Sequence, residues 1–140
     1  MGCFGYKNFQ NDSGMDFEDK FLENPWPDTV RYALLAVTRD ISKYFEFEEY
    51  EQHDQGCEAL AAVEVIAAAR NKPSADFPQS LQSMIENLVL GLDISTRKLA
   101  RQAVKNVLIK SELRNSWAEM GEDELNKWES VQQDLLIRLK

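Results

Sequence analysis

From Ala59 to Ala69 the chain reads Ala-Leu-Ala-Ala-Val-Glu-Val-Ile-Ala-Ala-Ala, ten apolar residues interrupted only by Glu64. The pattern predicts a helix over about Gln55 to Asn71. A helix that is apolar on nearly every side has no face to give to water, so it belongs in the centre of a bundle, where its alanines let neighbours approach closely. The run is far too short to cross a bilayer, so the rest of the chain must supply the cover.

Glu64 is the exception that needs an account. A carboxylate with apolar neighbours on both sides must reach the surface or be paired, because burying it unpaired costs several kcal/mol. The leader Met1 to Asn11 offers partners. Gly2, Gly5 and Asn11 can bring backbone N–H groups close to it, so Glu64 is expected to be a structural buried carboxylate that ties down the leader.

The other segments also read as helices, and none of useful length alternates as a strand does. Asp12 or Ser13 can cap a first helix over Gly14 to Glu23, which Asn24-Pro25 ends. Pro27 opens a second, with Val30, Leu34, Val37, Ile41 and Phe45 on one stripe. Pro78 opens a fourth, carrying Leu81, Met84, Ile85, Leu88 and Val89. A fifth runs from Thr96 to about Glu119, and a sixth follows Gly121 with Glu122, Asp123 and Glu124 in its first turn, favourable beside the positive end of the helix dipole. The expectation is an all-α, single-domain bundle over residues 1–140, with five to six helices around the Ala-rich one and residues 1–11 as an ordered leader packed on it.

A chain of 140 residues can bury a core without disulfides or metal. The formal charge of −8 disfavours nucleic acid and anionic membranes. That charge is segregated: residues 1 to 64 hold fourteen acids and five bases, residues 97 to 114 six bases and one acid. Cys3 and Cys57 read as reduced thiols, since the start of the chain lacks the charged and apolar regions of a secretory signal; a cytoplasmic location is expected. Met1-Gly2-Cys3 lacks the myristoylation pattern, because Tyr6 stands where Ser or Thr is wanted.

One stretch looks built to meet something. Glu46, Glu48, Glu49, Glu51 and Asp54 place five carboxylates in nine residues without a Lys or Arg, interleaved with Phe47 and Tyr50. Carboxylates attract a cationic partner, and aromatics add desolvated contact area at low conformational cost. These seven residues are the expected binding surface for a basic protein partner. The function that follows is a toxin-neutralising immunity protein, covering the active site of a basic toxin domain such as a nuclease. The alternative is a self-assembling or scaffold protein in which this acidic segment meets the basic stripe Arg97, Lys98, Arg101 and Lys105 of another copy, so the chain is expected as a monomer or weak homodimer.

Catalytic constellations fare poorly. Glu58 and Glu64 are six residues apart, about 120° around a helix, and do not face each other. His53 and Cys57 stand four apart, yet no third group marks a nucleophilic dyad. No metal-ligand cluster or phosphate loop occurs. No enzyme activity, cofactor or metal is expected.

Three motifs carry a resemblance. Met1-Gly2-x-Phe4-Gly5-x-x-x-Phe9-x-Asn11-Asp12, with Phe4 where Trp is usual, is followed by Glu58-Ala59-Leu60-Ala61-Ala62-x-Glu64-Val65-Ile66-Ala67-Ala68 and by Lys72-Pro73 and Pro78. Ser111-Glu112-Leu113 with Trp117 and Trp128 forms the third. Together they resemble the domain-of-unknown-function family 4259. The resemblance implies a small helical bacterial domain of the cytoplasm, and it brings no activity with it.

Overall fold

In the computed structural model of the protein, residues 5–38, 49–89 and 91–140 are described, with the backbone alone at 49–52, 87 and 89. The fold is all-α: helices α1 (Asp12–Glu23), α2 (Pro27–Thr38), α3 (Glu49–Ala69), α4 (Gln79–Gln82), α5 (Ile85–Val89), α6 (Ile94–Ile109), α7 (Glu112–Glu119) and α8 (Glu122–Arg138), with no strand among the described residues. Among the described residues eight segments replace the five to six expected, because two expected helices are each interrupted. The chain turns at Ser83-Met84 between α4 and α5. The long helix expected over 96–119 breaks at Lys110-Ser111, where both residues are extended. Ser111 is the cause: its hydroxyl accepts from the Arg114 N–H at 2.9 Å and donates to the Val107 carbonyl at 2.6 Å, ending α6 and starting α7.

α3 is the axis, touching α1, α2, α5, α6, α7 and α8. Every residue from Ala59 to Ala69 is buried, none more than 7% exposed. Leu60 and Ile66 pack among Phe17, Phe21, Leu34, Leu81, Trp128 and Leu135. α3 is already helical at Glu49, six residues ahead of the expected start. It ends in an Asn71 with φ of 64°, while Asn71 and Lys72 donate to the Ala68 and Ala67 carbonyls. That is the left-handed cap of a Schellman motif, which Asn tolerates better than other residues with side chains.

The cap of α1 also differs from expectation. Asn11, not Asp12 or Ser13, supplies it, accepting from the Gly14 N–H at 2.6 Å. Gly14 is required there for a second reason: a Cβ would lie 2.4 Å from the Asn8 carbonyl oxygen, so the leader could not lie down on α1. Asn8 and Phe9 are buried, with Phe9 edge-on to Phe77 at 5.9 Å between ring centroids. Met1 to Phe4, like Ile41 and Phe45 of the expected α2 stripe, lie outside the described residues. No described helix is long and apolar enough to cross a membrane.

Candidate functional site

Two polar features stand out, one inside and one outside. The inner one is centred on Glu64, which is 2% exposed. Arg138 of α8 donates to both its oxygens, at 2.7 and 3.3 Å, and Asn8 Nδ2 donates to Oε2 at 3.1 Å. Asn8 and Gln132 exchange a pair of hydrogen bonds at 3.1 and 2.9 Å. Arg138 spends two further donors on Asp134 and the Lys72 carbonyl. Glu64 therefore does meet the leader, but through the Asn8 side chain and not the backbone N–H groups of Gly5 or Asn11, while Gly2 lies outside the described residues. Its main partner, Arg138, lies 74 residues away, and only the basic position at the end of an apolar stripe hinted at it.

The electrostatics of this pair pull in opposite senses. Loss of water pushes the Glu64 carboxyl above its ordinary pKa, against the hydrogen bond and charge of Arg138, the Asn8 hydrogen bond and with some help from Asp76. Arg138 also loses water, but the hydrogen bonds and charges of Glu64 and Asp134 outweigh that and raise its pKa. Burial decides the direction for Glu64, because its carboxylate, 2% exposed, has lost nearly all its water, whereas Arg138 at 13% side-chain exposure keeps some, which weakens its opposing pull. An open groove of 410 Å3 passes over the pair, lined by Lys7, Ser74, Asp76, Lys127 and Asp134 among others. Every oxygen of Glu64 and most donors of Arg138 are already engaged, so the pair closes the floor of the groove and offers it no free reactive group.

His53 and Cys57 do come together, with Sγ 4.0 Å from Nδ1. Asp54 Oδ1 lies 3.6 Å from the same nitrogen. A thiol activated by an imidazole and oriented by a carboxylate needs the two partners on different ring nitrogens. Cys57 is also 2% exposed, and His53 Nε2 is buried with no partner among the described residues. Glu58 and Glu64 point apart: Glu58 pairs with Lys20 on α1 at 2.5 Å, Glu64 with Arg138 on α8. Among the described residues no group of three or more His, Cys, Asp or Glu is placed to hold a metal ion.

The outer feature is acidic. Glu46, Phe47 and Glu48 lie outside the described residues, and Glu49, Tyr50 and Glu51 are described only as the helical backbone at the start of α3. Asp54 is exposed and accepts from the Ser13 hydroxyl at 2.9 Å. That bond joins the first turn of α1 to α3 and brings in a second acidic element. Asp12, Met15, Asp16, Asp19 and Glu23 are all exposed. At spacings of three and four they form one stripe about 100° wide along α1. Phe17 and Phe21 take the buried side, stacked at 6.2 Å. Lys20, the one base of α1, is spent on Glu58.

The description "Domain of unknown function (DUF4259)" matches residues 2–131. The chain belongs to this family. No curated protein and no solved structure matches it. Several residues that carry the family resemblance hold the bundle together: Phe9 anchors the leader, Asn11 caps α1, Glu64 receives Asn8, and Trp117 and Trp128 line a small cavity beside Asn8 and His53. For this DUF4259 chain they describe how the bundle is closed, whereas the acidic stripe of α1 lies mostly outside those motifs.

Proposed function

We propose that the chain is an immunity protein, which binds a basic cognate toxin domain and covers its active site, a nuclease being the class whose field is opposite to its own. The observation that carries this reading is the solvent-facing stripe of α1, where Asp12, Asp16, Asp19 and Glu23 surround an exposed Met15. It runs beside Asp54, and the start of α3 adds Glu49 and Glu51 next to it in the chain. Such a face steers a cationic partner through its carboxylates and holds it through apolar anchors.

In this reading the carboxylates take the places of substrate phosphates, and Met15, Phe47 and Tyr50 are the desolvated anchors. The protein performs no reaction itself. The groups closest to chemistry, His53 with Cys57 and Glu64 with Arg138, are turned inward or saturated. The test is co-expression with the toxin candidate encoded beside this chain. The wild type is expected to restore growth and to co-purify with the toxin domain, and Asp12, Asp16 and Asp19 reversed together to Lys is expected to lose both. Protection by the reversed variant at the level of the wild type contradicts the reading.

A further inference from the structure

The far end of α3 carries the opposite charge. At about 1.5 Å per residue, Asp54 and Ala69 are about 22 Å apart along the helix. Arg70 follows the last turn of α3, and Arg97 and Arg101 stand one turn apart on α6. Arg70 donates to the Leu139 and Lys140 oxygens at 2.5 and 3.1 Å, and Arg101 reaches the Leu139 oxygen at 3.4 Å, so both cap the carbonyl end of α8. The Arg97 side chain has no hydrogen bond or ion pair with any described residue.

The three guanidiniums crowd one another. Partial loss of water, then the charges of Arg97 and Arg101, hold the pKa of Arg70 below its ordinary value. The nearest carboxylate in the adjoining open groove of 620 Å3, Asp93, is engaged elsewhere: it accepts from the Thr96 N–H at 2.8 Å and the Ser95 hydroxyl at 2.9 Å, capping α6, and faces Arg31 at 3.8 Å. Those hydrogen bonds, the backbone one foremost, hold it at a pKa of about 2, firmly charged but turned to its own helix.

We propose that this basic end docks on the acidic face of a second copy, Arg97 and Arg101 of one molecule against the α1 stripe of the next. The spacings agree. Arg97 and Arg101 are four residues apart, as are Asp12 and Asp16, and Asp19 and Glu23, so each pair spans about 6 Å along its helix. Along α3, Asp54 and the basic end beyond Ala69 are separated by more than the Debye length of about 10 Å at 0.1 M salt. A long polyanion is the poorer occupant, because the formal charge of −8 repels all of it, whereas a second copy brings its carboxylates only to the contact. The contact joins different surfaces, so it either closes on itself or extends. It shares α1 with the proposed toxin interface, and self-association and toxin binding therefore compete; the docking itself is independent of the toxin reading.

The balance of fields sets an unusual salt dependence. Near 0.01 M salt, with a Debye length of about 30 Å, the like net charges of two copies repel; near 1 M, at about 3 Å, the contact itself is screened. Sedimentation of the purified protein is expected to show association strongest near 0.1 M and weaker on both sides. Arg97→Gln with Arg101→Gln, and separately Asp16→Asn with Asp19→Asn, should each give a monomer with unchanged helix content by circular dichroism. Mixed one to one, the two variants should form a complex that stops at two copies, since each supplies the surface that the other lacks. A wild type that is monomeric at every salt concentration, a variant that associates as the wild type does, or a mixture that stays monomeric overturns the proposal.

Discussion

Arg138 on α8 holds both carboxylate oxygens of Glu64 on α3, at 2.7 and 3.3 Å, directly under a leader that adds Asn8 to the same carboxylate. Three segments far apart in the chain thus meet on one buried charge. Removing either side has unequal consequences. Arg138→Ala leaves a buried carboxylate without its counter-charge, and about 3 to 5 kcal/mol of stability is expected to be lost. Glu64→Ala leaves a guanidinium that still reaches Asp134 and water, so about 1 to 3 kcal/mol is expected. In both variants, and in Asn8→Ala, amides of residues 5–11 should exchange faster with solvent. Denaturation curves and hydrogen exchange check this, and an unchanged leader in all three would falsify the clamp.

The pH dependence of this pair has a definite sign. Burial raises the folded pKa of Glu64 above its value in the unfolded chain, so the folded state keeps this proton longer. The contribution of the group is complete below the ordinary carboxylate range and declines as pH rises through the raised value. Wild type and Glu64→Gln should therefore diverge on going from about pH 4 to pH 7, with the wild type losing ground, when midpoints of urea unfolding are compared. A wild type that gains on the variant over that window shows that Arg138 outweighs burial.

Ala62 and Ala67 are fully buried on α3, the helix that touches most of the others. Ala62→Phe or Ala67→Phe overpacks these contacts, and Lys at either position buries a charge with no partner. Losses of a few kcal/mol are expected from each, read from thermal or chemical denaturation. Near-wild-type stability for Ala67→Lys is incompatible with α3 as the central helix.

The fold was legible because α3 leaves no choice: ten apolar residues in eleven have only one place in a small helical chain. Proline and glycine marked the gaps at Pro27, Pro78 and Gly121 well. Ser111 was missed, because Leu99 to Leu108 and Leu113 to Trp117 read as one periodic run and a serine inside it shows no outward sign that its hydroxyl will cap a new helix. The need of Glu64 for a partner was visible, but not that Asn8, Gln132 and Arg138 would meet it, since contacts over 56 and 74 residues depend on how helices stack. The α1 stripe was hidden by its own core face: Phe17 and Phe21 announce the buried side, and the carboxylates look like ordinary solvated residues until Ser13 and Asp54 place them beside the start of α3.

The central claim, that the acidic face binds a basic toxin, is tested most directly by binding kinetics with the neighbouring toxin domain at two salt concentrations. Reversing Asp12, Asp16 and Asp19 to Lys, or Glu48, Glu49 and Glu51 to Lys, should slow association and remove its salt dependence, because screening no longer weakens an attraction between opposite fields. Met15→Ala, Phe47→Ala and Tyr50→Ala should instead speed dissociation at either salt concentration, costing about 2 kcal/mol or more where the side chain is a hot spot. Unchanged association and dissociation rates in both sets of variants contradict the account.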